Sequence, residues 1–390
     1  MDNNNYSLDL SIIPKELTFL LEILKTENEE MKESFKNESY IDIDWNLFLD
    51  LAIHHRVYPV IFSQLKKNEN KIPSNVMHTL TKEYKKNAFQ MLHLCGEMEQ
   101  ISKHFSENQI HLLFLKGPAL AADIYGDISR RTSKDLDVLI AITDLEKAEK
   151  LLLSLGYEKE VLPNLLNEWK WRNHHIVFFH PKKKIQLEIH WRLEPLPSKE
   201  PPFTELWGRR RVSSATNYPV YVLGKEDLFL YLVSHGARHG WFRLRWLIDI
   251  DHMIRKGVDF NRVEILLRKY QSLNIAGQAL ILTSELLNTP LNDEMKILVT
   301  GNRSKKLSQM ALSFINEMKP LNIIMSTNYY RRYLFSLKSS NLRKILRIIL
   351  LFYPSSADAK TLELPKPLHF LYFPLRPLLW AWRKIRKHKV

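Results

Sequence analysis

The segment Lys134–Ile140 constrains the fold more than any other part of the chain, because it alternates acidic and apolar side chains. Asp135 and Asp137 alternate with Leu136 and Val138, and successive side chains of a β-strand point to opposite faces of a sheet. We therefore expect both carboxylates on one face and the apolar side chains in a core. Two adjacent carboxylates repel each other unless a cation lies between them, and such oxygen ligands suit Mg²⁺.

A second alternating segment, Gln186–Trp191, carries a third acidic side chain. Glu188 would project toward the two aspartates if this strand lay beside the Asp135–Asp137 strand. Three carboxylates can hold two Mg²⁺ ions, one polarising an acceptor oxygen and the other neutralising a triphosphate and its departing pyrophosphate. The alternative interpretation of Glu188 is a surface glutamate on an edge strand.

The segment Phe114–Ala122 passes from a strand through a tight turn into a helix of small residues. Such a turn points backbone N–H groups and the positive end of a helix toward an anion. Gly117 lets phosphates approach closely, and Lys116 supplies a positive charge. Further candidate phosphate partners precede the aspartates, namely Arg130, Arg131 and Lys134. The spacings of a P-loop and of a G-x-G-x-x-G motif are absent.

The spacing of apolar residues is helical in 1–108, changes to short strand-like runs between 110 and 193 and is helical again from 223 onward. This order predicts an α+β fold with a small mixed β-sheet core between helical regions. We expect strands at 111–115, 138–140, 175–179 and 185–190, with the last two joined by a turn at 181–184. A helix is expected from 145 to 155, and others near 225–239, 243–256, 260–270, 274–288 and 304–318. The predicted domains are an N-terminal helical region (1–108), a catalytic core (109–222), a C-terminal helical domain (223–340) and a basic amphipathic tail (341–390).

The balance of 57 Lys+Arg against 43 Asp+Glu gives a net charge of +14, which favours anionic partners. Part of the excess lies among tryptophans and leucines in 366–390, a candidate for peripheral contact with a membrane. No apolar run reaches the roughly 20 residues needed to cross a bilayer. One cysteine, Cys95, excludes an internal disulfide framework, and the first residues lack the pattern of a signal peptide, so cytoplasm is the expected location.

The order of a Lys-Gly turn, an arginine, Asp-x-Asp and a later Glu-Ile-His-Trp resembles the poorly characterised bacterial nucleotidyltransferase family of the DNA polymerase β-like superfamily. Residues 113–140, 185–193 and 235–249 meet the family's pattern. The resemblance implies a nucleotidyltransferase core. It also implies metal ligands and phosphate contacts at the following positions: Asp135, Asp137 and Glu188 for the metal, and Lys116, Gly117 and Arg131 for the phosphates. It further implies that His190 and the helix containing His235 line the substrate pocket. The serine usual in the superfamily's turn is missing here, and Ser133 or the lysine is the candidate replacement.

Several histidines and acids outside this pattern have structural and functional interpretations. His235 and His239 lie at i and i+4 on one helical face, where they could line the nucleotide or acceptor pocket, bind zinc or pack between helices. Asp249 is a possible acid at a helix contact, and Asp251 is expected on the surface. Structural or packing roles are expected for His54 and His55. Structural or solvent-facing roles, with general-base roles as the alternative, are expected for His174, His175 and His180.

The expected function is therefore Mg²⁺-dependent transfer of a nucleotidyl group from a nucleoside triphosphate, with ATP the expected nucleotide, onto an unidentified acceptor such as a peptide or sugar. AMP transfer to a protein or peptide, and phosphorylation of a peptide, are alternative uses of the same site. The alternative from another class is a catalytically quiet binding module for nucleic acid or a membrane surface. No nucleic-acid-binding motif is present, so no specific nucleic acid partner is predicted.

Overall fold

The computed structural model describes residues 7–25, 42–160, 173–337 and 340–387, so the ends of the predicted tail and N-terminal region lie outside the described residues. The first part is helical, as expected. Its helices are α1 (Lys15–Lys25), α2 (Trp45–His54), α3 (Tyr58–Lys66) and α4 (Ser74–Glu107). The Asp44 carboxylate accepts hydrogen bonds from the backbone N–H groups of Asn46 and Leu47, which fixes the start of α2. A proline in the first turn of α3 loses no helical hydrogen bond.

Seven strands of the described residues form one mixed sheet in the order β3-β4-β5-β2-β1-β7-β6. The strands are β1 (Leu113–Phe114), β2 (Asp135–Leu139), β3 (Glu158–Lys159), β4 (His175–His180), β5 (Ile185–His190), β6 (Arg211–Val212) and β7 (Tyr221–Val222). β2 pairs in parallel with β5 and antiparallel with β1, and β4 and β5 form an antiparallel hairpin. β5 has the predicted bounds. β2 begins at Asp135 rather than Val138, so both aspartates belong to the strand itself.

Three helices lie between the strands, α5 (Pro118–Tyr125), α6 (Leu145–Ser154) and α7 (Phe203–Gly208). Gly117 precedes α5 with φ 76°, a left-handed conformation that favours glycine and lets the chain turn sharply from β1 into the helix. α6 ends two residues before Gly156, whose φ of 89° stops the helix as the sequence predicted.

The last part of the chain is helical, and the five helices predicted between 225 and 318 are found within two residues of their predicted bounds, whereas the helix at Asp293–Val299 was not predicted. They are α8 (Lys225–Arg238), α9 (Leu244–Arg255), α10 (Phe260–Lys269), α11 (Leu273–Leu287), α12 (Asp293–Val299), α13 (Asn302–Asn316), α14 (Leu321–Ser326), α15 (Asn328–Leu337), α16 (Asn341–Phe352), α17 (Ser356–Thr361) and α18 (Tyr372–Lys387). Among the described helices, none combines the length and apolar character that a bilayer crossing requires.

Two hydrophobic clusters hold these parts together. One lies between α4 and the sheet and includes Phe105, Leu136 and Ile189. The larger one joins the N-terminal helices to the C-terminal helices, with Leu20 and Leu280 among its members. The α+β class, with a mixed sheet flanked by helical regions, is confirmed. The four-part division of the chain stays a prediction, because the two helical regions share one core.

Candidate active site

The three predicted carboxylates lie on neighbouring strands. In the parallel register of β2 and β5, Asp137 is opposite Glu188 and Asp135 is opposite Gln186. Side chains of such pairs project from the same face of the sheet. The intervening apolar side chains of β2 are fully buried on the other face, as the alternation predicted. Glu188 is thus not on an edge strand, and it lies beside the aspartates.

Lys116 and His190 complete the immediate surroundings of Asp137. The Nζ of Lys116 lies 3.2 Å from Asp137 Oδ2, and the Nε2 of His190 lies 3.2 Å from Asp137 Oδ1. The same Nε2 is 3.5 Å from Glu188 Oε2, so one imidazole bridges two carboxylates. Both oxygens of Asp137 therefore face a positive or hydrogen-bonding partner in a site that is nearly closed to solvent.

Burial and ion pairing act in opposite directions on these groups. Burial would raise the pKa of Asp137, but the Lys116 ammonium and the hydrogen bond from His190 outweigh it and lower the pKa. Burial would lower the pKa of His190, but its bonds to Asp137 and Glu188 raise it. For Asp135, burial and the neighbouring Asp137 carboxylate both act to raise the pKa. These surroundings keep Asp137 ionised and make ionisation of Asp135 unfavourable. A bound cation would favour the ionised form of Asp135.

The donor atoms fit a divalent cation. Asp137, Glu188 and His190 each offer one ligand atom, and these atoms lie within 4.8 Å of one another. Asp135 lies two residues before Asp137 and on the same face of β2. Carboxylate oxygens are the ligands that Mg²⁺ and Mn²⁺ take, and an imidazole nitrogen is a ligand that Mn²⁺ accepts more readily than Mg²⁺. The described residues therefore suit a cation at the place that the sequence predicted.

Two further histidines lie against this site, although the sequence favoured structural or solvent-facing roles for them. The nitrogens of His174, His175 and His190 come within 4.8 Å of one another, and His175 Nε2 is 3.7 Å from Glu188 Oε2. Burial, and then the nearby His190, lower the pKa of His175 to about 4, so its ring is neutral at pH 7. The predicted turn at 181–184 contained the signal for this contact, because a hairpin closed there pairs His175 with His190. His180, by contrast, packs on Tyr157 away from the site.

The predicted phosphate-binding turn lies at the same end of β2. A Cβ added to Gly117 would be 3.7 Å from the carbonyl oxygen of Asp135, so the turn passes close to the start of β2. Ser133 is buried, and its hydroxyl donates to that same carbonyl at 3.1 Å. Lys134 is exposed. The structure thus brings Lys116, Gly117, Ser133 and Lys134 beside the carboxylates, and their contacts with a nucleotide stay predictions.

Arg131 differs from the prediction in its surroundings. Its guanidinium is 1% exposed and forms two hydrogen bonds of 2.9 Å with the two carboxylate oxygens of Asp249 on α9. Tyr125 donates to the same carboxylate at 2.9 Å. The two N–H groups that could bind a phosphate side by side already donate to Asp249. Arg131 therefore forms a buried ion pair that joins the core to α9. Asp249 is the helix-contact acid that the sequence suggested.

His235 and His239 lie inside the protein beside the site, on α8 and at its end. Their ring centroids are 4.7 Å apart, and Trp246 packs on both rings. Burial, and for His235 the nearby Lys116 ammonium, hold the pKa of each well below its ordinary value. Neither belongs to a group of three potential metal ligands among the described residues. Their role as pocket-lining residues stays a prediction.

The sequence interpretation was wrong for Asp251 and missed Arg56. Asp251 was expected on the surface, but it is 8% exposed and accepts hydrogen bonds from Thr289 at 2.6 Å and Arg255 at 2.8 Å. Arg56 lies in the short connection between α2 and α3, and its charge interacts with Asp135. His55 is fully buried and accepts a hydrogen bond from the backbone of Leu244, so the packing role expected for it agrees with its contacts.

Comparison with known proteins finds a family match over the part of the chain that contains this site. The family described as uncharacterised nucleotidyltransferase matches residues 42–288, which span the three carboxylates, the Lys-Gly turn and the helices α8 and α9. The comparison with curated proteins found no match. Since the match covers more than half of the chain and includes every residue of the predicted site, the chain belongs to this family of nucleotidyltransferases.

Proposed function

We propose that the chain transfers a nucleoside monophosphate from a nucleoside triphosphate, ATP first among them, to an acceptor such as a peptide or sugar. The observation that carries this proposal is the pairing of Asp137 with Glu188 on adjacent strands, with Asp135 on the same face. Family membership supports the reaction class, and the peptide or sugar acceptor is a proposal from the sequence.

The residues that would hold Mg²⁺ are Asp135, Asp137 and Glu188. When bound, the cation would polarise the phosphate oxygens and neutralise charge on the pyrophosphate that leaves. The presence of two ions stays a prediction, since Lys116 already neutralises part of the charge on Asp137.

The chain's own residues have distinct roles in this proposal. Lys116 keeps Asp137 ionised and presents its ammonium to the phosphates at the start of α5. His190 holds Asp137 and Glu188 in one orientation by bonding to both. The acceptor oxygen or nitrogen attacks the α-phosphorus, the bond from that phosphorus to the oxygen bridging to the β-phosphate breaks, and pyrophosphate leaves with the electron pair. Glu188, whose side chain is 18% exposed against 5% for Asp137, takes the acceptor's proton.

The test is incubation of the purified protein with Mg²⁺ and each α-³²P-labelled nucleoside triphosphate, with and without cell extract. We expect label on an acceptor, and loss of that label in Asp135→Asn/Asp137→Asn. A matched control is Glu264→Gln, which changes a half-buried carboxylate on α10 that pairs with Arg268. If no nucleotide transfers label and calorimetry detects no cation-dependent nucleotide binding, the proposal fails.

One contact favours a second candidate, a catalytically quiet binding module. The Lys116–Asp137 ion pair at 3.2 Å stabilises that carboxylate without a metal ion, so the pair alone would persist in a chain that only binds an anion. Nucleotide or nucleic-acid binding that is equal in the wild type and in Asp135→Asn/Asp137→Asn, without any label transfer, would favour this alternative.

A further inference from the structure

A cavity of about 550 Å³ opens next to the start of β2, between the N-terminal helices and the core. Four cationic side chains line it, from α4 and from three connecting segments: Arg56, Lys86, Lys134 and Arg243. The acidic side chain in its lining is Glu83. Ser133 also lines the cavity, and its hydroxyl lies 3.5 Å from the Asp135 carboxylate. The cavity therefore adjoins the carboxylates described above.

These four cations lack the partners that other arginines of the protein have. Arg209, Arg211 and Arg238 each form an ion pair of 2.6–2.9 Å with a carboxylate. Across the parts of the chain that the structure describes, no carboxylate lies within ion-pairing distance of a cationic group lining the cavity. Arg243 donates to the carbonyl oxygen of His54 instead. Positive charge without a direct ion pair to a carboxylate is thus concentrated around an open space.

The same cations repel one another. Burial followed by Arg56 lowers the pKa of Arg243 to about 10. Arg56 also adopts φ 57°, a left-handed backbone conformation that costs a residue with a side chain roughly 1–2 kcal/mol. The fold therefore holds like charges together at a cost in stability, and an anion bound among them would remove the repulsion.

We infer that this cavity binds a phosphate group of a substrate, either the triphosphate of the nucleotide or a phosphate carried by the acceptor. The inference deepens the proposed function and rests on it for the identity of the two substrates. Arg56 and Arg243 offer planar guanidinium groups that can donate two parallel hydrogen bonds to a phosphate, and Lys86 and Lys134 add charge at the mouth. Asp135 interacts with Arg56, so a phosphate held there lies at the edge of the carboxylate site.

The test is calorimetry with inorganic tripolyphosphate and, separately, with a non-hydrolysable ATP analogue, both without metal. We expect tripolyphosphate to bind the wild type and to bind Arg56→Gln/Arg243→Gln at least about tenfold more weakly, because two charge-assisted contacts are lost. Lys86→Glu/Lys134→Glu changes two exposed side chains and provides a second variant that does not depend on a buried position. The control is Arg268→Gln, an exposed arginine paired with Glu264 on α10.

The arms separate the two sources of phosphate. If the cavity substitutions weaken the binding of tripolyphosphate and of the ATP analogue equally, the cavity is assigned to the nucleotide. If they weaken only the binding of tripolyphosphate, it is assigned to the acceptor. The inference is overturned if tripolyphosphate does not bind the wild type, or if it binds both cavity variants as tightly as it binds the wild type. Label transfer is a separate measurement, so loss of phosphate binding with intact transfer is distinguishable from failure of the proposed function.

A second, independent observation concerns α16 and α18, which lie beyond the part of the chain that matches the family. Apolar side chains at helical spacing are exposed on both helices, including Ile345 at 54% and Leu378 at 67%. Tyr353 at the end of α16 packs on Phe373 of α18 with ring centroids 5.3 Å apart, so the helices are joined. Neither helix contains an acidic residue, and both contain arginine and lysine.

We propose that these two helices bind the surface of an anionic membrane. Two helices whose sequences hold arginine and lysine but no acidic residue, and which expose apolar side chains and two tryptophans at 45% and 57%, match the chemistry of an anionic interface, where acidic headgroups meet acyl chains. Asp358 on α17 is buried and pairs with Arg383 at 2.7 Å and with Arg376, which fixes α18 in place without adding negative charge to its surface.

The test is cosedimentation of the full chain with vesicles of phosphatidylcholine alone or mixed with phosphatidylglycerol. We expect binding to the mixed vesicles, weakened by salt, and at least about tenfold weaker binding for Ile345→Asp/Leu378→Asp. The control Ile265→Asp changes an apolar side chain on α10 that is 66% exposed. Absence of binding to mixed vesicles, unchanged binding in the double variant, or a wild-type dimer that the same substitutions dissociate would each overturn this proposal.

Discussion

The buried pair of Arg131 and Asp249 allows a stability change to be worked from the structure. Both side chains are almost inaccessible to solvent, and two hydrogen bonds of 2.9 Å join them. Replacing Asp249 by alanine leaves the Arg131 guanidinium buried without a carboxylate and the Tyr125 hydroxyl without its acceptor. Loss of one partner of a buried pair costs about 3–5 kcal/mol, so Asp249→Ala is expected to lower the free energy of unfolding by that amount.

The double variant Arg131→Met/Asp249→Leu separates the cost of an unpaired charge from the loss of packing. Because both charges are removed and volume is largely kept, we expect it to recover most of the stability lost in Asp249→Ala. Urea unfolding followed by circular dichroism measures each free energy. The control is Glu264→Ala, which breaks the exposed pair with Arg268 and should cost less than about 1 kcal/mol.

Two results would refute this reasoning. A loss below about 1 kcal/mol in Asp249→Ala would mean that Arg131 finds other partners, and equal losses in the single and double variants would mean that charge burial is not the cause. The same double variant tests the predicted phosphate contact of Arg131. Since the Arg131 guanidinium is already bonded to Asp249 in the wild type, we expect the double variant to bind the ATP analogue with the same affinity as the wild type.

Three further predictions follow from the site and its packing. Lys116→Met should reduce label transfer by at least about tenfold while a thermal melt shows a folded protein, because the ammonium beside Asp137 is lost; transfer at the wild-type rate would contradict this. Gly277→Ala should destabilise the protein by roughly 1–3 kcal/mol, since its Cβ would lie 2.3 Å from a backbone oxygen, whereas Gly96→Ala in α4 meets no atom within 4 Å and should stabilise it slightly; urea unfolding compares the two. Burial, with nearby arginine, lowers the pKa of His54 to about 4, and burial lowers that of His252 to about 4. Each favours the neutral ring in the folded state, so stability should be full above about pH 6.5 and fall as the pH drops toward 4; a flat profile over that range would refute the assignment.

The sequence predicted those parts of the site that depend on local alternation. The bounds of β5, the shared face of the aspartates and the hairpin turn at 181–184 follow from a two-residue period and a run of turn-forming residues. Partners from distant segments were beyond such reasoning. Nothing in the sequence around Arg131 distinguishes a phosphate contact from an ion pair with Asp249, because the partner lies on a helix whose position is set by tertiary packing.

Arg56 shows the same limit more sharply. Its neighbours His54 and His55 suggest only packing, whereas α2 ends at His54 and leaves Arg56 in the connection to α3. The left-handed turn at Arg56, which the sequence does not signal because no glycine or asparagine is there, places it among the cavity residues. For Asp251, the polar position two residues after Asp249 suggested exposure, but Thr289 from the segment after α11 covers it.

The parallel pairing of β2 with β5 also has a consequence for the order in which the protein folds. The β4–β5 hairpin can close locally, whereas the contact of Asp137 with Glu188 requires closure of the whole crossover that contains α6, β3 and β4. Contacts so distant in sequence form late, because the loop entropy is lost before they are gained. During synthesis Asp137 precedes Glu188 and His190, while Lys116 has already been made. We therefore expect the lysine to be able to neutralise this aspartate before Glu188 and His190 join the site.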